Sequence, residues 1–275
     1  MNEDIGPILA HWPYGEGTNV RKIVGADGAE KVQIRVVMEG LHGLLQFNCD
    51  GRPDGKRPHG HPFALDYCEE LLRPRGPGQG TPNALNGVGG PDSGEFKLTR
   101  EQAAELFEES SITYQRYIIL LEMNDYHRVI RDTTRNMRLF RFVHEHAAEN
   151  EDRNRLEKWW PYIIRIHHTA HAMLRLKEED YDGATRAVEQ ARRELQNLVP
   201  QDDEVFGMEM NRSKKALEEL QKAIEERRPP SEMELLEREK REAVQHEDYE
   251  RAAGLRDRIE ELRKRDERDS RKPGN

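Results

Sequence analysis

SEMELLEREKREAVQHEDYERAAGLRDRIEELRKRD, residues 231–266, reads as two helices joined by a tight turn. Pro229 and Pro230 end whatever precedes them, and Ser231 with Glu234 fits a capping box that opens a helix. Leu236, Ala243 and Val244 keep helical spacing along the first arm. His246-Glu247-Asp248 interrupts the apolar pattern, and Tyr249, Ala252, Ala253, Arg256, Ile259 and Leu262 then mark one face of a second arm. Ala252 and Ala253 are small enough to bring two helices close, and Tyr249 is placed to close the turn end. The other faces are charged, with Glu247/Arg251, Arg256/Glu260 and Glu260/Lys264 spaced i,i+4. Each such pair adds only about 0.2–0.5 kcal/mol, which maintains helicity and solubility rather than a fold. Chains below roughly 40 residues rarely fold unsupported. The hairpin is therefore expected to pack on its own chain, on a second copy, or on another protein.

These residues also carry a resemblance. Leu236, Ala243, Asp248-Tyr249, Ala252-Ala253, Arg256-Asp257, Ile259 and Leu262 fall where the UVR motif places them, the helical hairpin named for subunits B and C of the bacterial excinuclease. In the excision-repair proteins that motif mediates association between subunits. It also occurs in Clp-type ATPases and in an activator of a protein-arginine kinase, so the resemblance implies contact between proteins rather than repair as such. The partner it implies is another protein, one that itself carries a UVR motif included, or a second copy of this chain. The binding residues would be those just named, with Arg256 and Asp257 setting orientation by charge-assisted hydrogen bonds. The remainder departs from those relatives. No G-x-x-x-x-G-K-[ST] loop occurs, which excludes the helicase subunit and the Clp ATPases as whole-chain matches. Cys49 and Cys68 are the only cysteines and do not form C-x-x-C, so a four-ligand cysteine zinc site is excluded. No cofactor is expected.

Of 275 residues, 35% are hydrophobic and 35% charged, a balance suited to thin helical layers. The net charge of −9 makes the chain a poor general binder of nucleic acid, because phosphate neutralisation supplies most non-specific affinity. MNEDIGPILAHW lacks the basic start and apolar run of a signal peptide, and no segment approaches 18 apolar residues. The expectation is a cytoplasmic, bacterial-type protein whose two thiols stay reduced.

The expected fold class is α+β, mainly α: a small N-terminal antiparallel β module, antiparallel helical hairpins of TPR-like or bundle type, and the C-terminal helical hairpin. Residues 1–75 supply the β module. Val20–Val24 is followed by Asp27-Gly28, a hairpin signal, and then by Lys31–Met38, in which Val32, Ile34, Val36 and Met38 alternate with Gln33 and Arg35. Leu44–Phe47 offers a third strand, and short helices around Ile8–Trp12 and Phe63–Leu72 are expected to cover one face. Residues 76–98 read as a Gly/Pro-rich linker tethering this module to a helical body at 99–228. The hairpin takes 229–268, and 269–275 reads as a disordered tail.

Within the body an Asp-Tyr turn recurs at Asp125-Tyr126, Asp180-Tyr181 and Asp248-Tyr249, each followed three residues after the tyrosine by Val129, Ala184 or Ala252. Around the middle copy Ala172, Tyr181, Ala184, Val188 and Ala191 resemble a tetratricopeptide repeat, with His168 at the place usually held by tryptophan. A plain antiparallel bundle explains the same pattern.

Three constellations offer chemistry. His167 and His171 are four apart on a predicted helix and can face one metal if His144, His146 or His127 supplies a third ligand; packing around Trp159 and Trp160 is the competing reading. Arg128, Arg131, Arg135 and Arg138 form a stripe that grips phosphate or pairs with a neighbouring acidic helix. The loop CDGRPDGKRPHGH, Cys49–His61, projects Arg52, Lys56, Arg57, His59 and His61, either as an anion-binding nest or as a turn held by Asp50 and Asp54. The functional expectation is a non-catalytic protein–protein adaptor. The alternatives are a DNA-repair or nucleic-acid accessory and a metal-dependent enzyme using His167 and His171.

Overall fold

The computed structural model describes residues 4–15, 19–73 and 96–270. Most of the expected linker and residues 271–275 of the expected tail lie outside the described residues. Three antiparallel strands, β1 (Val20–Val24), β2 (Glu30–Met38) and β3 (Leu41–Asn48), pair in that order. Gly25 N–H donates to Ala29 O at 2.8 Å across the first turn, with Gly28 at φ +76 where the Asp-Gly signal placed it. Glu39 and Gly40 make the second turn, both at positive φ (+49 and +83), the two-residue geometry that matches strand twist.

The register puts Val32 opposite Phe47 and Ile34 opposite both Leu45 and Val20. Val32, Phe47, Ile34 and Val20 join Tyr117, Leu120, Tyr126, Val129, Ile166 and Ala170 in one core, while Leu45 stays exposed. The sheet is therefore not a separate tethered module: three strands cannot bury an apolar face alone, and here the helices bury it. The chain divides instead into compact units Met1–Lys222 and Ala223–Asn275. Strict alternation also fails on β2, where Arg35 is buried and Met38 is 64% exposed. Arg35 Nη1 donates to Leu9 O at 3.0 Å, and Arg21 lies 4.2 Å over Trp12, so the second face is covered by α1 (Gly6–Ala10) and the turn after it. The other short helix, α2 (Ala64–Leu71), packs chiefly on α3 (Arg100–Glu122).

Thr99 and Gln102 close a capping box on α3, at 3.2 and 2.9 Å. After α3 come α4 (Tyr126–His146), α5 (Asn150–Glu157), α6 (Trp160–Lys177), α7 (Tyr181–Gln196) and α8 (Glu204–Arg227). Pro161 lies in the first turn of α6, where the helix needs no backbone donor.

The recurring turns share one construction. Asn124 and Glu179 adopt left-handed φ (+56 and +58). The next N–H, from Asp125 or Asp180, donates five residues back to Leu120 O or Arg175 O, at 2.9 Å in both. This is a Schellman ending. The same aspartate then caps the following helix, its carboxylate accepting from Arg128 N–H or Gly183 N–H at 3.4 and 2.7 Å. Val129 and Ala184 are fully buried where the paired helices meet, as are Ala172, Val188 and Ala191. Such burial is common to any close helix pair, so the tetratricopeptide likeness rests on sequence alone.

Candidate functional site

The C-terminal hairpin is built from α9 (Glu232–Gln245) and α10 (Tyr249–Ser270), which pack on one another. Ser231 Oγ accepts from Glu234 N–H at 3.1 Å while Glu234 Oε2 accepts from Ser231 N–H at 2.6 Å, completing the expected capping box. The turn repeats the body's design a third time. Glu247 is at φ +58, Asp248 N–H reaches Ala243 O at 2.9 Å, and the Asp248 carboxylate accepts from Arg251 N–H at 3.1 Å. Ion pairs Arg258–Glu232 (3.4 Å), Arg263–Glu237 (3.0 Å) and Arg251–Glu239 (3.7 Å) cross between the arms, all largely exposed and worth little individually.

The second arm carries two stripes where the sequence suggested one. Ala252 and Ile259 are buried, Leu255 and Leu262 half-buried, and these meet the buried Leu236 and Ala243 of the first arm. Their spacing of three, four and three residues follows one line along a helix. Tyr249, Ala253, Arg256 and Asp257 are rotated off that line and exposed; Tyr249 is 67% exposed and does not close the turn. Arg256 spends its guanidinium on its neighbour Asp257, at 2.8 Å. The sequence reading missed Leu255, although its spacing from Ala252 and Ile259 gives it away.

Residues 231–265 match the UvrB/uvrC motif family. The UVR hairpin thus has an inner stripe that holds its arms together and an outer one that faces solvent. No curated protein and no solved structure matches the chain.

The Cys49–His61 loop is held from within. Arg52 is buried, donating from Nη1 to Glu109 Oε2 at 3.0 Å and from Nε to Asp54 at 2.9 Å. Glu109, itself fully buried, also accepts from Ala64 and Leu65 N–H at 2.6 and 3.3 Å. It thereby caps α2, whose own N-cap Phe63 has no acceptor to offer. His59 pairs with Glu105 at 2.9 Å and stacks on Tyr67, His61 lies 3.5 Å from Glu70, Lys56 lies near Asp54 and Glu108, and Arg57 donates to Gly60 O. Of the two readings left open, these contacts favour the internally held turn: carboxylates already answer the side chains of Arg52, Lys56, His59 and His61.

The arginine stripe is likewise paired. Arg128 contacts Asp50, Glu30 and Asp125; Arg131 contacts Asp50 and Asp132; Arg135 and Arg138 share Asp66. The hydrogen bonds from Arg128 and Arg131 hold the Asp50 carboxyl down at about 2 against the desolvation that opposes them. The acidic partners come from the sheet, the loop, α2, and the N-cap and body of α4 itself.

His167, His168 and His171 cluster, with the His167 and His171 rings 4.7 Å apart. Among the described residues no group of three or more His, Cys, Asp or Glu is placed to hold a metal. The hoped-for third ligands are engaged elsewhere: His144 pairs with Glu157, and His146 packs on Phe96 and Phe142. Thr133 Oγ1 donates to Val129 O and sits 2.9 Å from His167 Nδ1, which assigns the proton to that nitrogen. Burial pushes the His167 pKa from 6.5 down to about 4 and lowers that of His171 as well. Below pH 6.5 the unfolded chain takes up protons that folded His167 refuses, so stability falls as pH drops from 6.5 towards 4. The expected loss is about 1–3 kcal/mol, read from urea midpoints across that range, and His167→Gln should flatten it. A flat profile in the unaltered protein would show the imidazole to be solvated.

Proposed function

We propose that this chain is a non-catalytic, cytoplasmic adaptor that docks another protein through the outer stripe of its UVR hairpin. The carrying observation is a comparison of equivalent positions. In the α3–α4 turn the tyrosine, Tyr126, is 4% exposed because the sheet and α6 complete a third layer over it; in the UVR hairpin Tyr249 is 67% exposed. Val244, beside the same turn, is 49% exposed. An aromatic anchor flanked by a small residue is the usual centre of a helical docking surface. Inner-stripe residues Leu236, Ala243, Ala252 and Ile259 act by shaping the hairpin, and Tyr249, Ala253, Arg256 and Asp257 make the contact. No helix among the described residues is long and apolar enough to cross a membrane, which accords with this reading.

The test compares retention of proteins from extract by the full chain, by a chain ended after Arg228, and by Ala253→Glu. Ala253 is exposed, so the charge should leave the hairpin folded. A protein held by the full chain and weakened about tenfold or more by both changes supports docking through the outer stripe. Retention untouched by Ala253→Glu, with the helical spectrum intact, would place the interface elsewhere.

A further inference from the structure

Away from the UVR hairpin, a cavity of about 410 Å³ opens between α3, α4, α5 and α6. Its walls are aromatic: Phe107, Tyr114, Tyr117, Phe140, Trp159 and Tyr162. The rings stand at steep angles to one another, Tyr114 to Tyr117 at 87° and Trp159 to Tyr162 at 87°. Asn136 lines it too. Its Nδ2 donates to Ser110 O at 3.0 Å, while its Oδ1, buried, has no partner among the described residues. A buried acceptor without a donor is destabilising, and a bound donor would relieve it.

The rim is positive in an acidic protein. Arg155 lies 4.4 Å over the Phe107 ring, and neither it nor Lys158 has a carboxylate partner among the described residues. The N-terminus of α6 begins beside them at Trp160, without a side-chain cap. Two cations and the positive end of an 18-residue helix thus converge on one edge. The volume falls in the range of small-molecule sites, about 300–1,000 Å³.

We propose that this cavity binds a planar aromatic anion carrying a hydrogen-bond donor at its buried end. Its rings stack among Tyr114, Trp159 and Tyr162, its donor satisfies Asn136 Oδ1, and its carboxylate or phosphate lies at Arg155 and Lys158.

Titration calorimetry with 6-hydroxy-2-naphthoate on the full chain tests this, with 2-naphthol as the neutral counterpart. Saturable single-site binding is expected, with 2-naphthol weaker by about tenfold or more. Ser111→Trp, at an exposed position on the cavity wall, should abolish it without moving the melting temperature, and Lys158→Glu should weaken it by a similar factor. Absence of saturable binding by the folded protein at about 1 mM, or binding indifferent to both substitutions, overturns the site. Equal affinity for the neutral compound overturns the anionic class.

Discussion

Asp132→Ala is expected to cost about 3–5 kcal/mol of unfolding free energy. Arg116 and Asp132 are each 1% exposed and joined by two hydrogen bonds, Nε to Oδ2 at 2.6 Å and Nη2 to Oδ1 at 2.8 Å. Removing the carboxylate leaves a guanidinium inside the core without a counter-charge. The damage would spread, because Arg116 Nη1 also donates to Asn48 O at 3.0 Å and Gly51 O at 2.7 Å, and so anchors the Cys49–His61 loop to α3. Arg131, which also holds Asp50 and Cys49 O, would lose one of its three partners. Replacing both partners, as in Arg116→Leu with Asp132→Leu, should recover part of the loss, since no buried charge is left unpaired, while Asn48 O and Gly51 O still lose their donor. Urea unfolding of the single and double variants decides it. A single-variant loss below about 1 kcal/mol would mean that water reaches the pair.

Ile259→Ala should be as severe within its own unit, at about 2–5 kcal/mol. The UVR hairpin buries few side chains, and Ile259, 3% exposed, is the largest on its second arm. Deleting three carbons there opens a gap that two helices cannot close while Leu236 keeps its place. Hydrogen exchange should show protection lost through α9 and α10. Ala253→Glu, one stripe over, should leave that protection unchanged. Retained protection in Ile259→Ala would mean that the arms are held mainly by their crossing ion pairs.

How far the chain was legible follows from the type of signal. Capping boxes at Thr99 and Ser231 and the Asp-Tyr turns were readable because they are made within a few residues of sequence. The paired state of the arginine stripe was one of two readings that the sequence left open. Glu109, Thr113 and Arg116 were not readable, although they lie at helical spacing between Leu106 and Leu120, in the middle of an apolar stripe. Polar residues there look like a solvated face until Arg52, Asp132 and the start of α2 are brought to them from elsewhere in the chain. The supposed independence of the β module failed for the same reason: its covering layer comes from residues about a hundred positions later. On the hairpin, periodicity located the helix but lacked the angular resolution to separate two adjacent stripes.

The three Asp-Tyr links have a kinetic consequence. Each leaves only three residues between its helices, so the entropy of closing each pair is nearly as small as a chain allows. Contacts between α3 and α4, α6 and α7, and α9 and α10 are local and belong to the rapid phase of folding. The meeting of Val32 with Ile166 spans a long excursion, and that docking of sheet on helices is the step that sets the pace.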